Sequence, residues 1–523
     1  MLGNLIIAGG AGLASALFLN WPPWWWLGLV SFAPLFWLLD RPTGRWQTFS
    51  LSLTFGLGLI GLNLAWFFET LPLGWLNIQS SWLAGLAVAL VWLLFTAAAA
   101  AFIGLFALAW REFKQGDWRD LVLAPALWII AEYGRAWAIT IIFAGPDTII
   151  GPHWTNGFAG YLLTESPRLA LLAGTGGIYL LSAVVILTNY LIYQLTTQPN
   201  KRRRLALPIL ILTAWLALWP AGATAPAGEA GPTLRLAVAN TYSAPSSASS
   251  AKLDALNRQL DNQLFDILVL PEDSRLIAKL AATSTDLIFL ALNQLTNRQN
   301  ILVIDSIRSE DAGRIKSKIL YLNPATEEIN FTEKRLLATY GEYLPYFARG
   351  LVRLAGQREW LVNYDQERSV VAAGQAFAPV SWQGERVSVL ACSEIFSPTL
   401  YRAQTAAGAT ILGNVSSQSL FHSSRWFYRQ SLSAARVRAA ENSRALFQAT
   451  DDAPSFVLNS QGQVIAENNW QEPGVIFTTA GTRTKLAPYT RLGDWPVILA
   501  LFFLIFLLTA TNANIRPQTD QGR

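Results

Sequence analysis

The chain has 523 residues, 52% of them hydrophobic and only 14% charged, with 22 tryptophans. A soluble chain of this length carries about 25% charged residues, so the composition excludes a chain that is soluble throughout and leaves room for more than one domain. The formal net charge is +5, but no basic stripe with interleaved aromatics accompanies it, so nucleic acid is not an expected partner.

The apolar residues are unevenly spread. Residues 1–222 are almost continuously apolar, 233–490 read as a soluble domain, and 491–523 hold one more apolar run and a tail. A helix needs roughly 20 residues to cross about 30 Å of hydrocarbon. Eight stretches qualify as predicted spans, at 2–20, 24–40, 48–68, 82–110, 121–145, 168–196, 204–221 and 494–512. The Trp21-Pro22-Pro23-Trp24-Trp25-Trp26 cluster suits an interfacial turn, because indole rings prefer the headgroup level. The N-terminus lacks the positive charge of a secretory signal and more spans follow, so a retained anchor is expected. Glu132 and Arg135 share one face of the fifth span. A charge at the bilayer centre costs about 2.5–3.5 kcal/mol, so the pair is expected to face the bundle or a wet cavity, either meeting a headgroup phosphate or holding helices together.

Positive charges set the orientation. Arg41, Arg45, Arg111, Lys114, Arg119, the run Lys201-Arg202-Arg203-Arg204, Arg516 and Arg523 all fall on one side of eight spans. The opposite loops, around 21–23, 69–81 and 146–167, contain no lysine or arginine. Both termini are therefore expected in the cytoplasm and the domain at 233–490 outside, entered through a small, turn-rich linker at 223–232.

In the outer domain, short apolar runs alternate with helical patterns. Strands are predicted at Leu234–Ala239, Phe265–Leu270, Asn300–Asp305, Lys318–Leu322, Val387–Ala391 and Ala409–Leu412. Helices are predicted at Ala251–Gln263 and Ser431–Gln448, and a loop at Ser243–Ser250. This order gives an α/β layer in which reactive groups sit at strand ends.

Cys392, the only cysteine, stands where the strand Val387–Ala391 meets the turn Ser393–Pro398. That placement suits a nucleophile pushed out of a sheet, and equally a small buried hydrophobe. A thiol with a pKa of about 8.5 needs a base at neutral pH. Histidine is scarce: His153 lies in a turn near the membrane and His422 on a loop, so a Cys392–His422 dyad is one option. The same scarcity argues against zinc, and no metal or cofactor is expected. Carboxylates and lysine offer more. Glu272 follows the strand Asp266–Leu270, at a rim where partial burial raises a carboxylate toward a useful base, though a solvated turn acid reads the same way. Lys334 and Glu342 lie in a second constellation, where a lysine can stabilise an oxyanion or simply face solvent.

Taken together, these pieces resemble the nitrilase superfamily, with its Glu–Lys–Cys triad on an α-β-β-α sandwich, and within it the apolipoprotein N-acyltransferases. Leu270-Pro271-Glu272 is similar to the base motif, Glu333-Lys334-Arg335 with Gly341-Glu342-Tyr343-Leu344-Pro345 to the lysine segment, and Cys392-Ser393-Glu394 to the nucleophile turn. Arg438–Arg444, Pro488–Pro496 and the Glu132-x-x-Arg135 segment also match in order and spacing. Three segments depart. Ser393 replaces a usual tyrosine, Asn414-Val415-Ser416-Ser417-Gln418 replaces Asn-Asp-Ala-Trp-Phe, and Thr450-Asp451-Asp452-Ala453 replaces Thr-Asn-Thr-Gly. These bear on acceptor and acyl-chain contacts and leave room for a divergent substrate.

The resemblance implies a ping-pong acyl transfer in the cell inner membrane. Glu272 is the implied base, Cys392 the nucleophile and Lys334 the oxyanion partner, with Glu342, Glu394 and Ser393 in support. The implied donor is a phospholipid, the implied acceptor the N-terminal amine of a diacylglyceryl-cysteine apolipoprotein, and the intermediate a thioester. Tyr343–Trp360 reads as an arm dipping into lipid or as an ordinary packed segment. The rival readings are a membrane-anchored amidase that releases its acyl group to water and a non-catalytic lipoprotein binder.

Overall fold

The computed structural model describes residues 1–41, 44–197, 231–241, 256–272, 274, 288–289, 292, 300–311, 313–372, 378–470 and 472–514. The seventh predicted span, the serine-rich loop and nearly all of the linker lie outside these residues.

The N-terminal half is built on helices α1 (Leu2–Asn20), α2 (Arg45–Asn63), α3 (Ser81–Phe113), α4 (Asp120–Ile142) and α5 (Ala173–Thr197). Among the described residues, α1, α3 and α5 are long and apolar enough to cross a membrane, and the stretch Trp495–Thr509 is apolar but shorter. The predicted span at 24–40 is not one helix. The chain there runs as Pro22–Leu27, Gly28–Ser31 and Ala33–Leu39, and Pro34, the one proline within 24–40, withholds an N–H from the helical ladder. Helices α1 and α2 cross with their backbones in contact. A Cβ on Gly12 would stand 2.0 Å from the Phe55 carbonyl oxygen, so only glycine permits that approach. Helix α5 is interrupted at Gly176 and Gly177, where Gly177 has φ 66° and ψ −167°.

The C-terminal half contains two six-stranded sheets. One has the order β12-β1-β2-β3-β4-β5 and the other β11-β10-β9-β8-β7-β6. The first comprises β1 (Thr233–Asn240), β2 (Ile267–Val269), β3 (Leu302–Asp311), β4 (Arg314–Asn323), β5 (Glu328–Glu333) and β12 (Gly474–Gly481). The second comprises β6 (Val380–Trp382), β7 (Glu385–Ala391), β8 (Ile411–Ser417), β9 (Leu446–Asp451), β10 (Phe456–Leu458) and β11 (Val464–Glu467). The central strands are parallel and unbroken in their apolar character, as strands covered on both faces must be. Leu236, Val238, Val389, Val415, Phe447 and Val457 fill the space between the sheets.

The outer face of the first sheet packs against a helical segment through Leu256 and Leu260. The lysine segment leads into α6 (Tyr346–Leu354) and α7 (Arg358–Glu367), and the second sheet is covered by α8 (Pro398–Ala406) and α9 (Arg425–Asn442). The expected α-β-β-α sandwich is therefore present. Helix α9 also faces the membrane half, sharing one buried cluster with Phe158, Tyr161, Leu162 and Tyr179. The last helix, α10 (Trp495–Asn514), returns to pack on α4.

Two secondary-structure expectations need correction. The helix predicted at Ser431–Gln448 starts at Arg425, where the Ser424 hydroxyl accepts the Phe427 N–H at 3.1 Å, and ends at Asn442. Ser443 turns left-handed at φ 49° and the chain enters strand β9. A short apolar run buried on both faces has no period that separates strand from helix. The strand predicted to end at Asp305 continues to Asp311 and pairs with β4 as a long hairpin.

Candidate active site

Strand β7 delivers Cys392 at its buried end, and the chain turns immediately through Cys392–Phe396. Cys392 itself has φ 49°, a left-handed conformation that costs a non-glycine residue on the order of 1–3 kcal/mol and must be held by its surroundings. The Glu394 carboxylate does this. One oxygen accepts the Ala391 N–H at 2.7 Å, and the other accepts the N–H groups of Arg335 at 2.9 Å and Leu336 at 3.1 Å. The Ser393 hydroxyl donates to the Leu336 carbonyl at 2.9 Å. The nucleophile turn and the lysine segment are thus bound to each other. Asn414, on the neighbouring strand β8, reaches the Cys392 carbonyl at 3.5 Å and the Tyr401 hydroxyl at 3.1 Å.

Lys334 follows the edge strand β5, yet its side chain is buried. Its Nζ lies 3.5 Å from Glu272 Oε1 and 3.0 Å from Glu342 Oε1. Glu342 is fixed in turn by the Ala338 N–H at 2.7 Å, with Arg308 at 3.8 Å. Glu272 leaves the end of β2, near enough for its carboxylate to act on the Cys392 thiol. The structure brings Glu272, Lys334 and Cys392 together, with Glu342 behind the lysine and Glu394 behind the cysteine.

Electrostatics fix the resting protonation. Burial pushes the Cys392 thiol up to about 12, Glu272 adds to the rise, and Lys334 only partly opposes it. The resting sulfur is therefore a thiol. Burial works against the charge on Lys334, but Glu272 and Glu342 outweigh it, and its pKa rises above the usual lysine range. Burial also raises Glu394, against the pull of its three backbone N–H donors.

Beside Cys392 lies an apolar cavity of about 370 Å³. The C-terminal half contributes Cys392, Ser393, Phe396, Leu336 and Tyr343, and the N-terminal half contributes Trp66, Val88, Val91, Phe95, Phe143 and Trp154. It suits a hydrocarbon chain, since such linings reward apolar burial by about 25 cal/mol per Å². The 343–360 arm forms one wall. Tyr343 donates to the Phe143 carbonyl at 2.9 Å and Trp360 to the Leu76 carbonyl at 3.0 Å, while Tyr346, Leu351 and Leu354 of α6 remain exposed.

Other expected groups lie elsewhere. His422 is bonded through Nδ1 to the Glu69 carbonyl at 2.6 Å, so it forms no dyad with Cys392. Glu132 and Arg135 are buried and serve the loop after α4. Glu132 accepts the Ala159 N–H at 2.7 Å, and Arg135 donates to the Asn156 carbonyl at 3.1 Å and covers the Phe158 ring. Among the described residues, no three His, Cys, Asp or Glu side chains converge as a metal site. The sequence reading missed the 151–155 loop, where His153, Trp154 and Thr155 touch the nucleophile turn. The only signal was its Gly151-Pro152-His153-Trp154 turn.

Residues 11–191 match the apolipoprotein N-acyltransferase N-terminal domain, and residues 261–482 match the carbon-nitrogen hydrolase family. Relatives named apolipoprotein N-acyltransferase align over nearly the full length. The Pseudomonas syringae pv. tomato protein is 27% identical, covering 96% of this chain and 95% of that protein. The Chromobacterium violaceum protein is 28% identical, covering 96% and 94%. Among solved structures, a mutant of Nesterenkonia AN1 amidase from the nitrilase superfamily is 16% identical with a TM-score of 0.36, covering 51% of this chain and 97% of that one. The resemblance read from the motifs holds across the whole chain, in both halves.

Proposed function

We propose that this chain, an apolipoprotein N-acyltransferase N-terminal domain joined to a carbon-nitrogen hydrolase domain, transfers a fatty acyl group from a phospholipid to the N-terminal amine of a diacylglyceryl-cysteine apolipoprotein. The observation that carries this reading is the meeting of Glu272, Lys334 and Cys392 at an apolar cavity walled by both halves.

Glu272 takes the thiol proton as the sulfur attacks the ester carbonyl. The tetrahedral oxyanion forms beside the Lys334 ammonium, an interaction that strengthens only as charge develops. Collapse breaks the ester bond, the departing lysophospholipid oxygen takes the proton from Glu272, and a thioester remains on Cys392. The acceptor amine then attacks. Glu272 removes its proton, the C–S bond breaks, and the proton returns to sulfur as the amide leaves. A thioester is reactive toward amines and an amide is a stable sink, which gives the sequence its direction. The apolar cavity keeps water from the thioester. Holding both lipid substrates at one interface replaces much of the entropy of bringing them together.

The proposed organisation is a membrane block at 1–222 with seven crossings, the second made of the short pieces Pro22–Leu27, Gly28–Ser31 and Ala33–Leu39, a linker at 223–232, an outer catalytic domain at 233–490, and a final span with a tail at 491–523. Both termini lie in the cytoplasm and the catalytic domain on the far side of the inner membrane. Three helices among the described residues, long and apolar enough to cross, support the membrane setting. Intact-protein mass spectrometry after incubation with phospholipid tests the chemistry. An acyl adduct that maps to Cys392, is lost in Cys392→Ala, and passes to an added diacylglyceryl-cysteine peptide as an amide is expected. Release as free acid alone would reduce the enzyme to a hydrolase.

A further inference from the structure

The far end of the nucleophile turn is gripped by the membrane half. His153 Nδ1 lies 2.9 Å from Ser397 Oγ, and the Thr155 hydroxyl donates to the Phe396 carbonyl at 2.8 Å. Thr155 is itself held by the Tyr161 hydroxyl at 2.6 Å, and the Trp154 ring packs on Phe396 at 5.4 Å. All three loop residues stand between α4 and α5, on a segment that also walls the apolar cavity through His153 and Trp154.

We propose that His153 is a positioning residue for acyl transfer: by accepting the Ser397 hydroxyl hydrogen it clamps the Cys392–Phe396 turn to the loop that walls the acyl cavity. This deepens the acyltransferase reading and rests on it. Ser397 caps α8, its oxygen accepting the Leu400 N–H at 3.3 Å, and its hydroxyl hydrogen can turn toward Nδ1. The proposed polarity requires a neutral imidazole with its proton on Nε2. Burial, and secondarily Arg335, push His153 down to about 4, so this state holds throughout the neutral range.

The turn is then fixed at both ends. Glu394 ties its start to the lysine segment, and His153 with Thr155 ties its end to the membrane half. Because His153 and Trp154 line the cavity, a chain lying there bears on the same loop that sets the sulfur's direction.

The test uses the full-length protein in mixed phospholipid–detergent micelles, following thioester formation on Cys392 by intact mass. An asparagine oxygen can occupy the place of Nδ1, whereas a glutamine reaches toward Nε2. His153→Asn should acylate within about threefold of the parent, while His153→Gln and His153→Phe should be about tenfold slower at saturating donor, with the half-saturating donor concentration changed less than about twofold. Ser397→Ala should be as slow as His153→Phe, and the double variant no slower than either. Parent-like acylation by His153→Phe overturns the proposal, as does equal slowing by Asn and Phe or multiplication of effects in the double variant. A purely structural role would instead lower thermal stability in all variants alike. If His153→Phe does not fold, the Asn–Gln comparison decides. If the parent forms no thioester, the acyltransferase reading fails separately. The clamp is then read from iodoacetamide alkylation of Cys392, with the same order of variants expected and no difference among them overturning it.

Discussion

Glu394 and Arg335 are joined at 2.9 Å through a carboxylate oxygen and a backbone N–H, across 59 positions of sequence. The same carboxylate also holds Leu336 and Ala391, so the lysine segment and the cysteine turn are positioned by one acid. Glu394→Gln keeps the shape but points an N–H₂ at backbone donors. Hydrogen bonds to charged groups contribute about 1.5–3 kcal/mol each. Acyl transfer should fall about 100-fold, with a lowered unfolding temperature, measured by amide formation and by thermal unfolding in detergent.

Glu272→Gln should separate thiol acidity from catalysis. The carboxylate helps hold the thiol at about 12, and Lys334 acts in the opposite direction. Removing the negative charge leaves Lys334 to favour the thiolate, so the thiol pKa falls. Iodoacetamide should then alkylate Cys392 faster at pH 8 than in the parent, and the rise of alkylation with pH should move to lower pH. Acyl transfer should meanwhile be lost, since no base remains to take the proton. Slower alkylation at pH 8 would contradict the assigned electrostatics.

Val91→Trp places an indole in the cavity wall. Long-chain donors should acylate Cys392 at least about tenfold more slowly, because the chain loses roughly 0.8 kcal/mol for each CH₂ left outside. A short-chain activated ester, which does not need the full cavity, should react at the parent rate. Equal slowing of both would place the hydrocarbon elsewhere.

Gly177→Ala meets two obstacles, a φ of +66° and the Tyr489 ring 2.5 Å from the added Cβ. A left-handed alanine alone costs about 1–2 kcal/mol. The unfolding temperature should drop clearly. Gly10→Ala is the matched control, since its Cβ meets nothing within 4 Å in helix α1, and it should be neutral or stabilising by about 0.5–1 kcal/mol.

The proposed reacting groups were legible because each sits at a strand end inside a short local pattern. Cys392, Lys334 and Glu272 could be named from their own neighbours in sequence. The supporting glutamates were visible as motif members, but the backbone donors they bind were not, since those depend on two turns meeting in space. His153 was harder still. Its partner Ser397 is 244 positions away and on the other half of the molecule, and no local spacing encodes that distance. The broken stretch at 24–40 reads as one span because overall hydropathy outweighs what Pro34 dictates. The start of strand β9, Leu446–Gln448, reads as the end of a helix because both of its faces are buried.

The walls around Cys392 come from two halves of the chain, one on each side of residues 223–232. Cleaving there and removing the first half would leave Glu272, Lys334 and the sulfur in one fragment, but strip away Trp66, Val88, Val91, Phe95, Phe143 and Trp154. Such a fragment would expose its acyl-sulfur bond to bulk solvent. The choice between amine and water as the final acceptor therefore belongs to residues that take part in no bond-making, and a hydrolase and a transferase can share the same three reactive groups.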